Sequence, residues 1–164
     1  MKKIAQKIGI ALAIVLVVIQ FFRPEKNINT QPATTHISKL YAVPADVEQI
    51  LVNACYDCHS NNTVYPWYSN IQPVAWWLAD HVEDGKKHLN FDAYTTYNLR
   101  RQYHKMEEVI EQVDENEMPM KSYQLAHSNA RLTDAQKQLL INWANGVMNT
   151  MKAQYPMDSL VKKR

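Results

Sequence analysis

Five consecutive residues, Cys55-Tyr56-Asp57-Cys58-His59, constrain this chain more than any other feature. They read C-x-x-C-H, the attachment pattern for a c-type haem. On a helix, two sulfurs three residues apart face the same way, so each can add to one vinyl group of the porphyrin. The histidine that follows then sets an imidazole under the iron. With two cysteines and six histidines in 164 residues, chance placement has a probability on the order of one in a thousand. A thiol–disulfide site would need a strand before the pair and a βαβ pattern, and neither is visible. A zinc site would need a fourth ligand at metal spacing, and the candidates lie far along the chain.

The motif lies on a helical pattern. Val43-Pro44-Ala45-Asp46 reads as a helix start, and Val47, Ile50, Leu51 and Ala54 then recur at spacings of three and four, leading into Cys55. Only three glycines stand beside nine tyrosines and four tryptophans, which argues against a turn-rich β architecture. A second helix is expected over 73–84, with Gly85 as its stop and Val74, Trp77, Leu78 and His81 on one side. A third is expected over 94–113, with Leu99, Tyr103, Met106, Val109 and Ile110 inward. The last starts at Thr133, where Gln136 completes a capping box, and buries Leu139, Leu140, Trp143 and Val147. The fold class is all-α.

At the N-terminus, Ile8 to Phe22 runs IGIALAIVLVVIQFF without a charge, after Lys2, Lys3 and Lys7 and before Arg23. A secretory signal should end in small residues, whereas this run ends Gln20-Phe21-Phe22. An uncleaved anchor is the preferred reading, although fifteen helical residues cover only about 22 Å of a roughly 30 Å hydrocarbon layer. Either way the lysines stay in the cytoplasm and the remainder is exported, which is where c-type attachment takes place. The expected localisation is a single pass of the cytoplasmic membrane through residues 8–22, with the domain on the extracytoplasmic side. Without the four basic residues that flank the run, 14 remain against 16 acidic ones. No basic face then suits nucleic acid. The expected division is an anchor or signal at 1–23, a tether at 24–42, a haem domain at 43–153 and a loose basic tail at 154–164.

From these residues the chain resembles the haem-binding domain family of exported bacterial proteins, a cytochrome c-like group. The resemblance runs from about Val43 to Ala144, through CYDCHSNNTVYPWYSNIQPVAWWLADHVEDGKKHLNF and EMPMKSYQLAHSNARLTDAQKQLLINWA. One departure is visible: the family commonly reads Met-Pro-Pro, and here Met118-Pro119 is followed by Met120. The resemblance implies a helical, cytochrome c-like domain with one covalent haem, His59 on one side of the iron and a methionine on the other. It implies no catalytic activity.

Residue chemistry leaves Met118, Met120, His81, His88, His104 and His127 open as the sixth iron ligand. Met118 is preferred, with Met120 as the alternative, because Glu117-Met118-Pro119-Met120 interrupts one helix shortly before the closing helix. A thioether opposite imidazole favours a six-coordinate electron carrier, working with redox partner proteins rather than as a catalyst. An open or labile site would instead suit a peroxidase-like enzyme or a gas or redox sensor. A third reading is a module that docks to a larger redox complex through its aromatics. Trp67, Tyr68, Trp76 and Trp77 are candidates for porphyrin wall or ordinary core. Asp57 is expected to be solvated, and a carbonyl between His59 and Gln72 is expected to orient the His59 ring.

Overall fold

The computed structural model describes residues 1–162 and is built from helices. Among the described residues there is no strand, only an isolated bridge between Ile28 and Asn62. The elements are α1 (Lys2–Ile19), α2 (Ala45–Ala54), α3 (Tyr56–His59), α4 (Val74–His88), α5 (Leu99–Asp114), α6 (Lys121–Ala126), α7 (Asp134–Gln154) and α8 (Met157–Leu160). Short 3₁₀ turns at Ile37–Lys39, Trp67–Asn70, Phe91–Thr96 and Ser128–Ala130 join them.

The core forms where α5 and α7 pack together, with α2 against α7 and α8 against α5. Val47, Ile50 and Leu51 enter it from α2, Tyr103 and Met106 from α5, and Leu140, Trp143, Val147 and Met151 from α7. The periodic stripe of α2 is buried as its spacing predicts. Helix α7 opens with the expected capping box between Thr133 and Gln136. Helix α5 begins later than expected, at Leu99, because Asn98 caps it by accepting from the Arg101 amide; the preceding residues Phe91–Thr96 form a 3₁₀ turn whose Phe91 and Tyr94 are core.

Three other boundaries differ from those expected. Helix α4 runs through Gly85 to His88 instead of stopping there. The tether of 24–42 is in large part domain: Ile37 is fully buried, Tyr41 is buried, and the Ala42 carbonyl accepts from Trp143 Nε1 at 3.0 Å. The tail of 154–164 is not loose where it is described. The chain turns at Pro156 and packs α8 on α5 with Leu160 1% exposed, because a leucine side chain at that position gains by leaving water. Lys163 and Arg164, the last two residues of the expected basic tail, lie outside the described residues.

Helix α1 stands apart. All residues from Met1 to Val18 are exposed. Among the described residues no helix is long and apolar enough to cross a membrane. The helix ends at Ile19, and three lysines occupy its first turns, so its charge-free part is shorter than the apolar run of the sequence. The spanning anchor expected from that run has no support in the helix.

Candidate haem-holding site

The motif folds as a single turn. Cys55 ends α2, and α3 carries Tyr56, Asp57, Cys58 and His59. The Cys55 carbonyl accepts from the amides of Cys58 at 3.2 Å and His59 at 2.9 Å. That turn gathers both thiols and the imidazole. The thiols are free and half-buried. Burial, with the neighbouring Cys58, pushes the Cys55 thiol up to about 12; burial, with Asp57, pushes Cys58 up to about 11. A thiol–disulfide centre works through a lowered thiol pKa, so this environment is the wrong one for it.

His59 is oriented by Leu89, whose carbonyl lies 2.9 Å from Nδ1. A carbonyl can only accept, so Nδ1 carries the proton and Nε2 holds the free lone pair. Burial lowers the imidazole pKa, against the raising effect of the Leu89 and Gly85 carbonyls, which keeps the ring neutral at ordinary pH. The expected carbonyl between His59 and Gln72 is therefore replaced by one at the end of α4. Leu89 is thirty residues from His59 along the chain, so no local pattern links the two.

Gly85 explains how α4 comes close enough. A Cβ built there would lie 2.6 Å from the Cys58 carbonyl oxygen and 3.0 Å from the Cys58 Cβ. The residue is a contact point between helices, and its backbone is not left-handed. This is why the helix passes through it.

Asp57, expected to be solvated, ties the motif to the rest of the fold. Its Oδ1 accepts from the Val64 amide at 2.9 Å, its carbonyl from Thr63 Oγ1 at 2.6 Å, and its Oδ2 from the Tyr123 hydroxyl at 2.7 Å. Tyr56 fixes the other side, donating to Glu48 Oε2 at 2.9 Å and packing its ring edge-on against Phe91. Burial and these carboxylate acceptors raise both tyrosine pKa values, so both hydroxyls remain donors.

Tyr123 belongs to α6, a helix absent from the sequence reading, and α6 starts directly after the methionine loop. Helix α5 ends before Asn116, which is left-handed at φ 61. The amides of Glu117 and Met118 both donate to the Gln112 carbonyl at 3.0 Å. Met118 and Met120 are half-buried on either side of buried Pro119, and Gln124 holds the Pro119 carbonyl. The Tyr123–Asp57 bond thus docks the segment carrying both methionines onto the Cys-x-x-Cys-His turn. Exposure does not separate Met118 from Met120.

The other sixth-ligand candidates have other partners. His104 is exposed and faces Glu107 and Glu108 along α5. His88 is exposed. His127 stacks on Tyr123 with centroids 4.0 Å apart, and its Nδ1 lies 3.1 Å from the Tyr123 carbonyl. His81 rests against Trp77, its Nδ1 2.7 Å from the Trp77 carbonyl. Trp67, Trp76 and Trp77 are exposed and thus not core. Among the described residues no three His, Cys, Asp or Glu side chains gather into a metal cage. A cleft of about 780 Å³ lies between residues 24–29 and α4, lined by Asn27, Asn61, Tyr65 and Lys86 among others, and neither thiol nor the His59 imidazole lines it.

Two free thiols one helical turn apart, of the kind that add to porphyrin vinyl groups, and a neutral imidazole with Nε2 unspent for iron are the groups a haem would take up, and define a helical haem-holding domain. The chain belongs to the haem-binding domain family, whose model matches residues 14–146. That match begins inside α1 and takes in Ile37 and Tyr41, in keeping with their place in the core. No curated protein and no solved structure matches the chain.

Proposed function

We propose that this haem-binding protein carries one covalent c-type haem and relays single electrons from the outer side of the cytoplasmic membrane. The observation that carries the reading is the His59–Leu89 hydrogen bond, which commits Nδ1 and leaves Nε2 as the ligand beside two thiols on the same turn. Cys55 and Cys58 are the thioether positions. His59 and Met118, with Met120 as the alternative to Met118, would hold the iron. A haem held in this way supplies a one-electron ferric–ferrous couple, and a thioether opposite imidazole raises its potential relative to two imidazoles.

The chain's own part is to fix geometry. Leu89 holds the tautomer and plane of His59, Gly85 lets α4 approach Cys58, and Asp57 with Tyr123 holds the methionine loop to the motif. Placement outside the cytoplasm is supported by the lysines before the apolar run and by the chemistry of c-type attachment. Redox proteins are the partners this reading requires.

The test is spectroscopic, on protein matured in a host that attaches c-type haem. The ferric state should show the weak long-wavelength band of a thioether–iron bond, lost in Met118→Ala and kept in Met120→Ala. Persistence in Met118→Ala would remove Met118 from the iron. Ready binding of carbon monoxide by the wild-type ferrous protein would favour the peroxidase-like or sensor reading.

A further inference from the structure

The exposed apolar helix does not end freely. Gln20 and Gln72 exchange two hydrogen bonds: Gln20 Nε2 donates to the Gln72 carbonyl at 3.2 Å, and the Gln72 amide to Gln20 Oε1 at 3.0 Å. The Gln72 side chain, in a residue 2% exposed, donates to the Phe22 carbonyl at 2.7 Å and accepts from the Trp76 amide at 3.2 Å. The end of the apolar run is thereby fixed to the corner where the Trp67–Asn70 turn meets α4.

That corner is itself apolar on the outside. Phe21 is 82% exposed, Phe22 63%, Trp67 76%, Ile71 44% and Trp76 38%. We propose that this corner is a seat on the lipid bilayer: Phe21, Phe22, Ile71 and Trp76, flanked by Trp67, enter the outer interface of the membrane. The inference rests on the membrane-held reading above and adds how the domain is oriented there.

Length supplies the reason for lipid as the occupant. The charge-free part of α1, from Ile8 to Ile19, covers about 18 Å, leaving about 12 Å of a roughly 30 Å hydrocarbon layer unmatched. A short span must thin the bilayer or draw flanking residues inward. On the domain side those flanking residues are aromatic and aliphatic, and tryptophan prefers the headgroup boundary. Arg23 lies at the same end, its Nε 3.3 Å from the Gln20 carbonyl, and Lys26 sits over the Tyr65 ring at 5.1 Å. Both cations lie within four residues of Phe22, where lipid phosphates would meet them.

The test uses the full-length, haem-loaded protein in vesicles of phosphatidylcholine and phosphatidylglycerol, with acyl chains brominated near the carbonyl or left plain. Tryptophan fluorescence in the two lipids is compared for wild type and for Trp67→Phe/Trp76→Phe, whose exposed rings can be exchanged without disturbing the core. Flotation after a carbonate wash reads α1 insertion separately. The seat predicts bromine quenching in wild type and loss of most of it in the variant, with flotation retained in both. Flotation without bromine quenching, or with quenching equal in the two proteins, overturns the seat, spares the anchor, and leaves the corner to a protein partner. Loss of flotation in wild type overturns the anchor reading, and the seat with it.

Discussion

Gly85→Ala isolates the contact that brings α4 to the motif. In an ordinary helix interior, alanine in place of glycine stabilises by about 1 kcal/mol. Gly146 in α7 is such a position, since a Cβ there meets nothing within 4 Å. At Gly85 the new Cβ would lie 2.6 Å from the Cys58 carbonyl oxygen and 3.1 Å from its carbon. These are backbone atoms, so the turn or α4 must shift rather than a side chain swing away. Overpacking of this kind costs about 1–3 kcal/mol. Set against the propensity gain, Gly85→Ala should be net destabilising by up to about 2 kcal/mol, while Gly146→Ala should stabilise by about 1 kcal/mol. Urea unfolding of the two haem-loaded variants measures the difference, and the ferric spectrum reports whether His59 has moved with α4. If Gly85→Ala proved as stabilising as Gly146→Ala, the close approach of α4 to Cys58 would be refuted.

Two further outcomes follow from the same geometry. Tyr123→Phe removes one hydrogen bond to a carboxylate and should lower stability by about 1–2 kcal/mol; Asp57→Asn should act in the same direction, and urea unfolding of the double variant should show less than the sum of the two, additivity being the contrary result. In the haem-free chain under reducing conditions, thiols raised to about 11 and about 12 hold very little thiolate at pH 8.5. Iodoacetamide should then label the folded chain more slowly than the urea-unfolded one, by a factor on the order of a hundred, and the folded rate should rise about tenfold per pH unit up to pH 10. Equal rates would mean that the fold does not raise the two thiols.

What could be read from the residues was whatever repeats locally. The α2 stripe, the Thr133–Gln136 capping box and the buried face of α7 depend on spacings of three and four, and the thiol–thiol–imidazole turn is contiguous in the chain. What escaped depends on partners distant in sequence. Gly85 resembles a helix stop until Cys58 is placed against it. Leu89 contributes only a backbone carbonyl, which carries no side-chain signal. Asp57 resembles a solvated acid in the sequence because its partner, Tyr123, is sixty-six positions away on a helix too short to show a period. Ile37 and Tyr41 lay in a polar stretch, and their burial comes from packing that no local pattern records.

The most direct trial of the central claim is the intact mass of the polypeptide after maturation, acid–acetone extraction and unfolding in urea. Attachment through Cys55 and Cys58 predicts that the chain keeps the mass of one haem, and that Cys55→Ser/Cys58→Ser does not. A wild-type chain recovered at its bare polypeptide mass would contradict it.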